Sequence, residues 1–221
     1  MGIQGYGLFV KLLKQGHSAG TMGLRGTAGD VARWASRVKL ARKFRSLDVD
    51  DYSALTLLGY SAFFRVFLTH SALERYLSLV GLSDDGFNEA LLPHEPSKAI
   101  KEFFERDRSG KLFDFLHPRL NSKLQAKLKK CRDGASVNVS CVSAAVRHIF
   151  VHGHLGANTH DINPRQVARS CNAISDFLLT FMETDFTQRI KTYYDSIDVP
   201  RPAIPSKSAW GKKKAGVIPT C

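Results

Sequence analysis

Apolar residues recur at helical spacing along most of the chain, and no stretch alternates as a strand would. Residues 28–45, AGDVARWASRVKLARKFR, predict a basic helix starting after Asp30, with Val31, Trp34, Val38 and Ala41 on one face. The longest helix is expected from about Tyr52 to Val80. Asp50, Asp51 and Ser53 favour its start, and Gly81 is suited to the left-handed residue that ends it. It is apolar nearly all round, which places it at the centre of a bundle. The segment SDDGFNEALLPHEP reads as a loop. Shorter helices follow at 96–106, with Ile100, Phe103 and Phe104 inward, around KLFDFL, and at 122–131 after Asn121 as N-cap. Next comes 138–152, and then a long helix from NPRQ to about Ser196. In NPRQ, Asn163 caps, Pro164 takes the first helical position and Gln166 offers the second half of a capping box. Its stripe is Val167, Cys171, Ile174, Leu178 and Phe181. VPRPAIP ends regular structure. The expected fold class is all-α, an up-and-down bundle of four to six helices.

Charge divides this picture into three parts. Of the net +12, residues 1–47 carry +8 and residues 200–221 carry +5, so residues 48–199 are close to −1. The expected organisation is a basic, glycine-rich N-terminal extension (1–47), mobile over 1–27 and then with one helix, a helical body (48–199) and a flexible basic tail (200–221). Basic ends around a near-neutral body suit contact with a polyanion, or merely keep the chain in solution. Hydrophobic content of 43% excludes wholesale disorder. Cys131, Cys141, Cys171 and Cys221 show no CxxC spacing. With GLFVKLL broken by Lys11 and too short for a signal or a span, they are expected as buried or free thiols in a cytoplasmic protein without a membrane partner.

Chemistry concentrates in AAVRHIFVHGHLGAN, where Arg147, His148, His152 and His154 lie within an apolar run. A metal reading draws on His148 and His152 one turn apart, with His154, His160 and Asp161 nearby. Ile149 stands where a zinc hydrolase would hold its glutamate, and no carboxylate occurs between Gly134 and His160. No metal or other cofactor is therefore expected. GHSAG at 16–20 has the spacing of a nucleophile elbow but no strand to mount it, and is set aside. The third reading takes Arg147 and His152 as a phosphate-handling pair. Guanidinium stays charged while it grips phosphate, and imidazole moves protons near neutrality. On an ideal helix the two lie about 140° apart, so a second chain or an unwound helix end has to complete the site. Val142, Ala145, Val146, Ile149 and Gly153 form the core stripe. The small face of Ser140, Ala144 and Val151 is left for a second subunit.

RHIFVH, Arg147 to His152, near the end of a penultimate helix and followed by a long amphipathic one, resembles the HEPN superfamily. Its signature is Arg, four to six residues, then His, usually with a polar residue, often Asn, directly after the Arg. His148 holds that place here, as a possible accessory residue. The resemblance covers about 142–186. It implies a helical bundle and homodimerisation that joins two motifs. It also implies metal-independent RNA cleavage by Arg147 and His152, in proteins that are often toxins or defence factors. Some such members pair with a nucleotidyltransferase-like antitoxin. Other members keep the fold without being nucleases, so a non-catalytic module binding nucleic acid, nucleotide or protein is the alternative.

Overall fold

The computed structural model describes residues 3–107, 109–153 and 162–197, with the backbone alone at 84 and 85. The class is all-α: among the described residues there are nine α-helices, two short 3-10 turns and no strand. The helices are α1 (Tyr6–Lys14), α2 (Ala28–Lys43), α3 (Ala54–Val80), α4 (Asp84–Leu91), α5 (Pro96–Arg106), α6 (Lys111–Leu116), α7 (Ser122–Arg132), α8 (Ser140–Val151) and α9 (Pro164–Ser196). The central position expected for α3 is observed, since it packs chiefly on α9 and also on α2 and α8. Ser53 caps its start by accepting from the Thr56 N–H, and Gly81 ends it at φ 66°, a conformation that costs little only without a side chain. Every residue of the α9 stripe is buried. Asn163 caps α9 through the Arg165 N–H, one position earlier than a capping box would use.

The N-terminal expectation is corrected. Residues 3–47 are not a mobile extension, because they share one continuous core with the rest. Phe9 and Leu12 of α1 are buried, Ala19, Met22 and Leu24 follow, and α2 buries the predicted face of Val31, Trp34, Val38 and Ala41. Trp34 lies between Tyr76 of α3 and Phe186 of α9, with ring centroids 5.0 and 4.8 Å away. The start of the chain is latched to α9: the Gln4 N–H donates to Glu183 and the Thr187 hydroxyl donates to the Gln4 carbonyl. The basic residues misled because they sit on the outer face, with Arg33, Arg37, Lys39, Arg42 and Lys43 all exposed. α2 opens with a capping box between Thr27 and Asp30, three residues earlier than the expected start after Asp30.

Two further expectations change. SDDGFNEALLPHEP is not a loop but α4 and a 3-10 turn at Leu92–His94, anchored by buried Phe87 and Leu91. Cys131 and Cys141 are buried, one of the two expected outcomes, but not apart: their sulfurs meet between α7 and α8. Cys171 is unpaired and fully buried, and burial pushes its thiol up to about 12, which rules it out as a nucleophile near neutral pH. Among the described residues no helix is long and apolar enough to cross a membrane. The 200–221 tail and Cys221 lie outside the described residues.

Candidate functional site

α8 is fixed from both sides before any chemistry begins. Asn138, buried ahead of it, accepts from the Ser140 N–H and hydroxyl. Its core stripe Val142, Ala145, Val146 and Ile149 is buried. Gly153, expected on that stripe, is instead exposed, because the helix has ended: at φ 71° its N–H donates to the Phe150 carbonyl. His152 is the C-cap residue, its own N–H donating to the His148 carbonyl.

His148 and His152, one turn apart at this end of the helix, are in ring contact, with centroids 4.5 Å apart at 61°. His152 is exposed and His148 half-buried. Arg147 points elsewhere, toward α3, where its Nη1 lies 3.6 Å from Glu74 Oε1. Its side chain is 38% exposed, and its Nε is buried with no hydrogen-bond acceptor. The site is therefore an exposed imidazole, His152, against a half-buried one, His148, at the helix end beside a partly open guanidinium. Arg147 is held by an acid one helix away.

That acid belongs to a chain of contacts the sequence reading missed. Glu74 Oε1 also lies 3.6 Å from His70 Nε2, and His70 Nδ1 is hydrogen-bonded to Ser143 Oγ at 2.8 Å. Hydrogen bonding to His70 holds the Glu74 carboxyl below its usual range, helped by the charges of His70, Arg147 and Arg37 and opposed by burial. A signal was present in the sequence: His70 and Glu74 stand one turn apart in a helix otherwise apolar nearly all round. Ser143, His70 and Glu74 follow the order of a hydrolase triad, yet Ser143 is fully buried and its hydroxyl also donates to the Ser140 carbonyl. A nucleophile sealed from solvent cannot meet a substrate, so this network braces α8 on α3.

The other candidates are placed as follows. Ser18 of GHSAG sits in an exposed turn, hydrogen-bonded with Thr21, while His17 pairs with the Tyr193 hydroxyl at 2.9 Å. Among the described residues no group of three or more His, Cys, Asp or Glu stands together as metal ligands. His154, His160 and Asp161 lie outside the described residues. On the small face of α8, Ser140 and Ala144 are half-buried and Val151 is 57% exposed.

Comparison of the chain with protein-family models, with curated proteins and with solved structures finds no match.

Proposed function

We propose that the chain is a metal-independent endoribonuclease of HEPN type, acting as a homodimer in which two copies of the α8 terminus meet. The observation that carries this reading is the placement of three groups of the RHIFVH motif. His148 and His152 are in ring contact, and Arg147 stands on the same exposed end of a helix braced from both sides. The reaction needs three services from them. One imidazole accepts the proton of the RNA 2′-hydroxyl as its oxygen attacks the adjacent phosphorus. A second, protonated imidazole donates to the departing 5′-oxygen, and the guanidinium stabilises the negative charge on the non-bridging oxygens. The products are a 2′,3′-cyclic phosphate and a 5′-hydroxyl. Arg147 gives up little by turning to phosphate, because an ion pair as open as Arg147–Glu74 is worth about 0–1 kcal/mol. A dimer through Ser140, Ala144 and Val151 supplies imidazoles from both copies. Toxin or defence activity, with a nucleotidyltransferase-like antitoxin as partner, extends the same reading.

The test is cleavage of a short labelled RNA in excess EDTA. Cleavage with cyclic-phosphate ends is expected, and its loss in folded His152→Ala and Arg147→Ala proteins. Undiminished cleavage in both variants overturns the assignment; activity lost to chelation and restored by zinc favours metal-dependent hydrolysis. One observation favours the alternative of a non-catalytic binding module. A concavity of about 930 Å³ beside α5 and α7 joins apolar Ile100 and Phe104 to Lys101 and Arg132 and to the carboxylates of Glu105, Asp107 and Asp133, a lining of both signs suited to a small amphipathic ligand.

A further inference from the structure

One stretch of the surface is aromatic without belonging to the core. Tyr60, Phe64, Phe67, Ser71 and Glu74 recur at helical spacing along α3 and fall within about 80° of one another, so they form one stripe. α2 flanks the stripe on one side, where Arg37 reaches Ser71 and Phe44 meets Phe64. α8 flanks it on the other, where Arg147 reaches Glu74. Phe44, Phe64 and Phe67 are half-buried and stand outside the continuous core. They rest on one another instead, with centroids 5.2 Å apart for Phe44 and Phe64, and 5.9 Å apart at 24° for Phe64 and Phe67. Leu40, one turn before Phe44, is 55% exposed. Rings that the core does not use leave apolar area in water, and contiguous patches of this kind mark contact sites.

Charge decides what covers the patch. Arg37 and Arg147 converge from opposite sides on the Ser71–Glu74 end of the stripe. Arg37 Nη1 lies 3.4 Å from the Ser71 carbonyl and 3.5 Å from its hydroxyl, and Arg147 Nη1 lies 3.6 Å from Glu74 Oε1. These contacts are longer than ordinary N–H···O bonds, so both guanidiniums are free to turn to a stronger acceptor. Phosphate is such an acceptor, since it meets guanidinium charge to charge. The acids nearby do not cancel this. Glu74 feels Arg37, Arg147 and His70 together, so one carboxylate answers two permanent cations. Asp30 is taken up by Arg33 and Arg75. Asp48, Asp50 and Asp51 lie near the start of α3, with Leu47 bonded to Ser61. That is about 20–30 Å along the helix from Glu74, well past the screening length of about 8 Å. Ser71 stands one turn beyond Phe67, about 6 Å along the axis, which matches the reach of a nucleotide from base to phosphate.

We propose that this face of α3 binds a nucleotide of single-stranded RNA, its base stacked on Phe67 and its phosphate held between Arg37 and Arg147; the choice of RNA rests on the nuclease reading. Stacking accepts every base, so the face holds a strand without reading its sequence. Arg147 belongs both to this face and to the RHIFVH motif, which sets the bound strand beside the α8 terminus.

The experiment measures binding of a short fluorescein-labelled oligouridylate to the full chain, in EDTA and in a His152→Ala background, across a salt series. Removing a base-stacking ring lowers affinity by about fivefold or more. Phe67→Leu, which keeps apolar volume at a position outside the core, is expected to show that loss with an unchanged circular-dichroism melt. It is expected to bind an abasic strand as the parent does, because only a base loses its platform. Arg37→Gln is expected to weaken both strands and to flatten the slope of log affinity against log salt by about 0.7. Arg37→Lys is expected to keep the slope. Lys39→Gln, exposed and about 160° around α2 from Arg37, is expected to move neither quantity. Unchanged affinity in either Phe67→Leu or Arg37→Gln overturns the proposal, as does an equal Phe67→Leu loss on the abasic strand. A Phe67→Leu chain that loses its dimer while keeping RNA also overturns it and gives the face to a second copy. The two readings fail separately. A chain that stacks RNA on Phe67 but never cleaves it rejects the nuclease and keeps the binding face. A chain whose cleavage needs Arg147 and His152 but ignores Phe67 and Arg37 does the reverse.

Discussion

Replacing Trp34 by alanine is the sharpest test of how the N-terminal segment joins the fold. Trp34 is fully buried between Tyr76 and Phe186. An aromatic side chain of this kind buries about 150–250 Å², or about 4–6 kcal/mol at 25 cal/mol per Å². The two ring contacts add to this, and so does the cavity left between α2, α3 and α9. One term opposes them: Trp34 Nε1 is buried with no acceptor, so removing it relieves about 1–3 kcal/mol of unmet desolvation. The net expectation is a loss of about 3–5 kcal/mol, within the range measured for large aromatic truncations. For a chain of this length that corresponds to a melting temperature lower by about 6–20 °C. Trp34→Phe separates the terms, since it retains most of the apolar volume and deletes the orphan N–H; it is expected to cost far less than alanine. Arg33→Ala, one position away with its side chain 66% exposed, serves as the surface control. Urea unfolding followed by circular dichroism reads all three variants. A Trp34→Ala loss below about 1 kcal/mol, indistinguishable from Arg33→Ala, refutes the argument and returns residues 1–47 to the status of an extension.

Two further outcomes are expected. Asp30 is held far below the usual carboxylate range, first by the Thr27 backbone N–H, then by Arg33 and the Thr27 hydroxyl, with Arg75 contributing. A depressed folded value means its contribution to stability is complete above the unfolded value near 4 and fades as pH falls below it. The difference in urea midpoint between wild type and Asp30→Asn should therefore shrink from pH 6 toward pH 2, and a constant difference across that range contradicts the account. In the dimer proposed above, Ala144→Glu places a charge in the seam. Light scattering at micromolar concentration should show wild-type dimers and variant monomers, and a monomeric wild type removes the shared site.

Local rules were legible wherever one residue type answered one local requirement. Ser53 and Gly81 bound α3, Pro164 opens α9, and the inward faces of α2 and α9 follow from spacing alone. These features depend on backbone hydrogen-bond ends and on a 3.6-residue period, both contained within a few turns of chain. α4 escaped because eight mostly polar residues carry too short a pattern, and it is stabilised by Phe87 and Leu91 docking on the core and not by helix propensity.

The sequence by itself determined the all-α class, the burial stripes and the RHIFVH motif as a concentration of imidazole and guanidinium groups in an apolar run. Spacing alone put His148 one turn from His152, where their rings meet. It could not determine that the crossing of α3 brings Arg147 to Glu74, 73 residues away. Charge summed along the chain likewise put the basic character at the ends, because a sum discards position. Folding returned α2 to the core with its cations outward. Pairings between distant segments depend on which surfaces desolvate together, and that is a property of the packed chain that no local window contains.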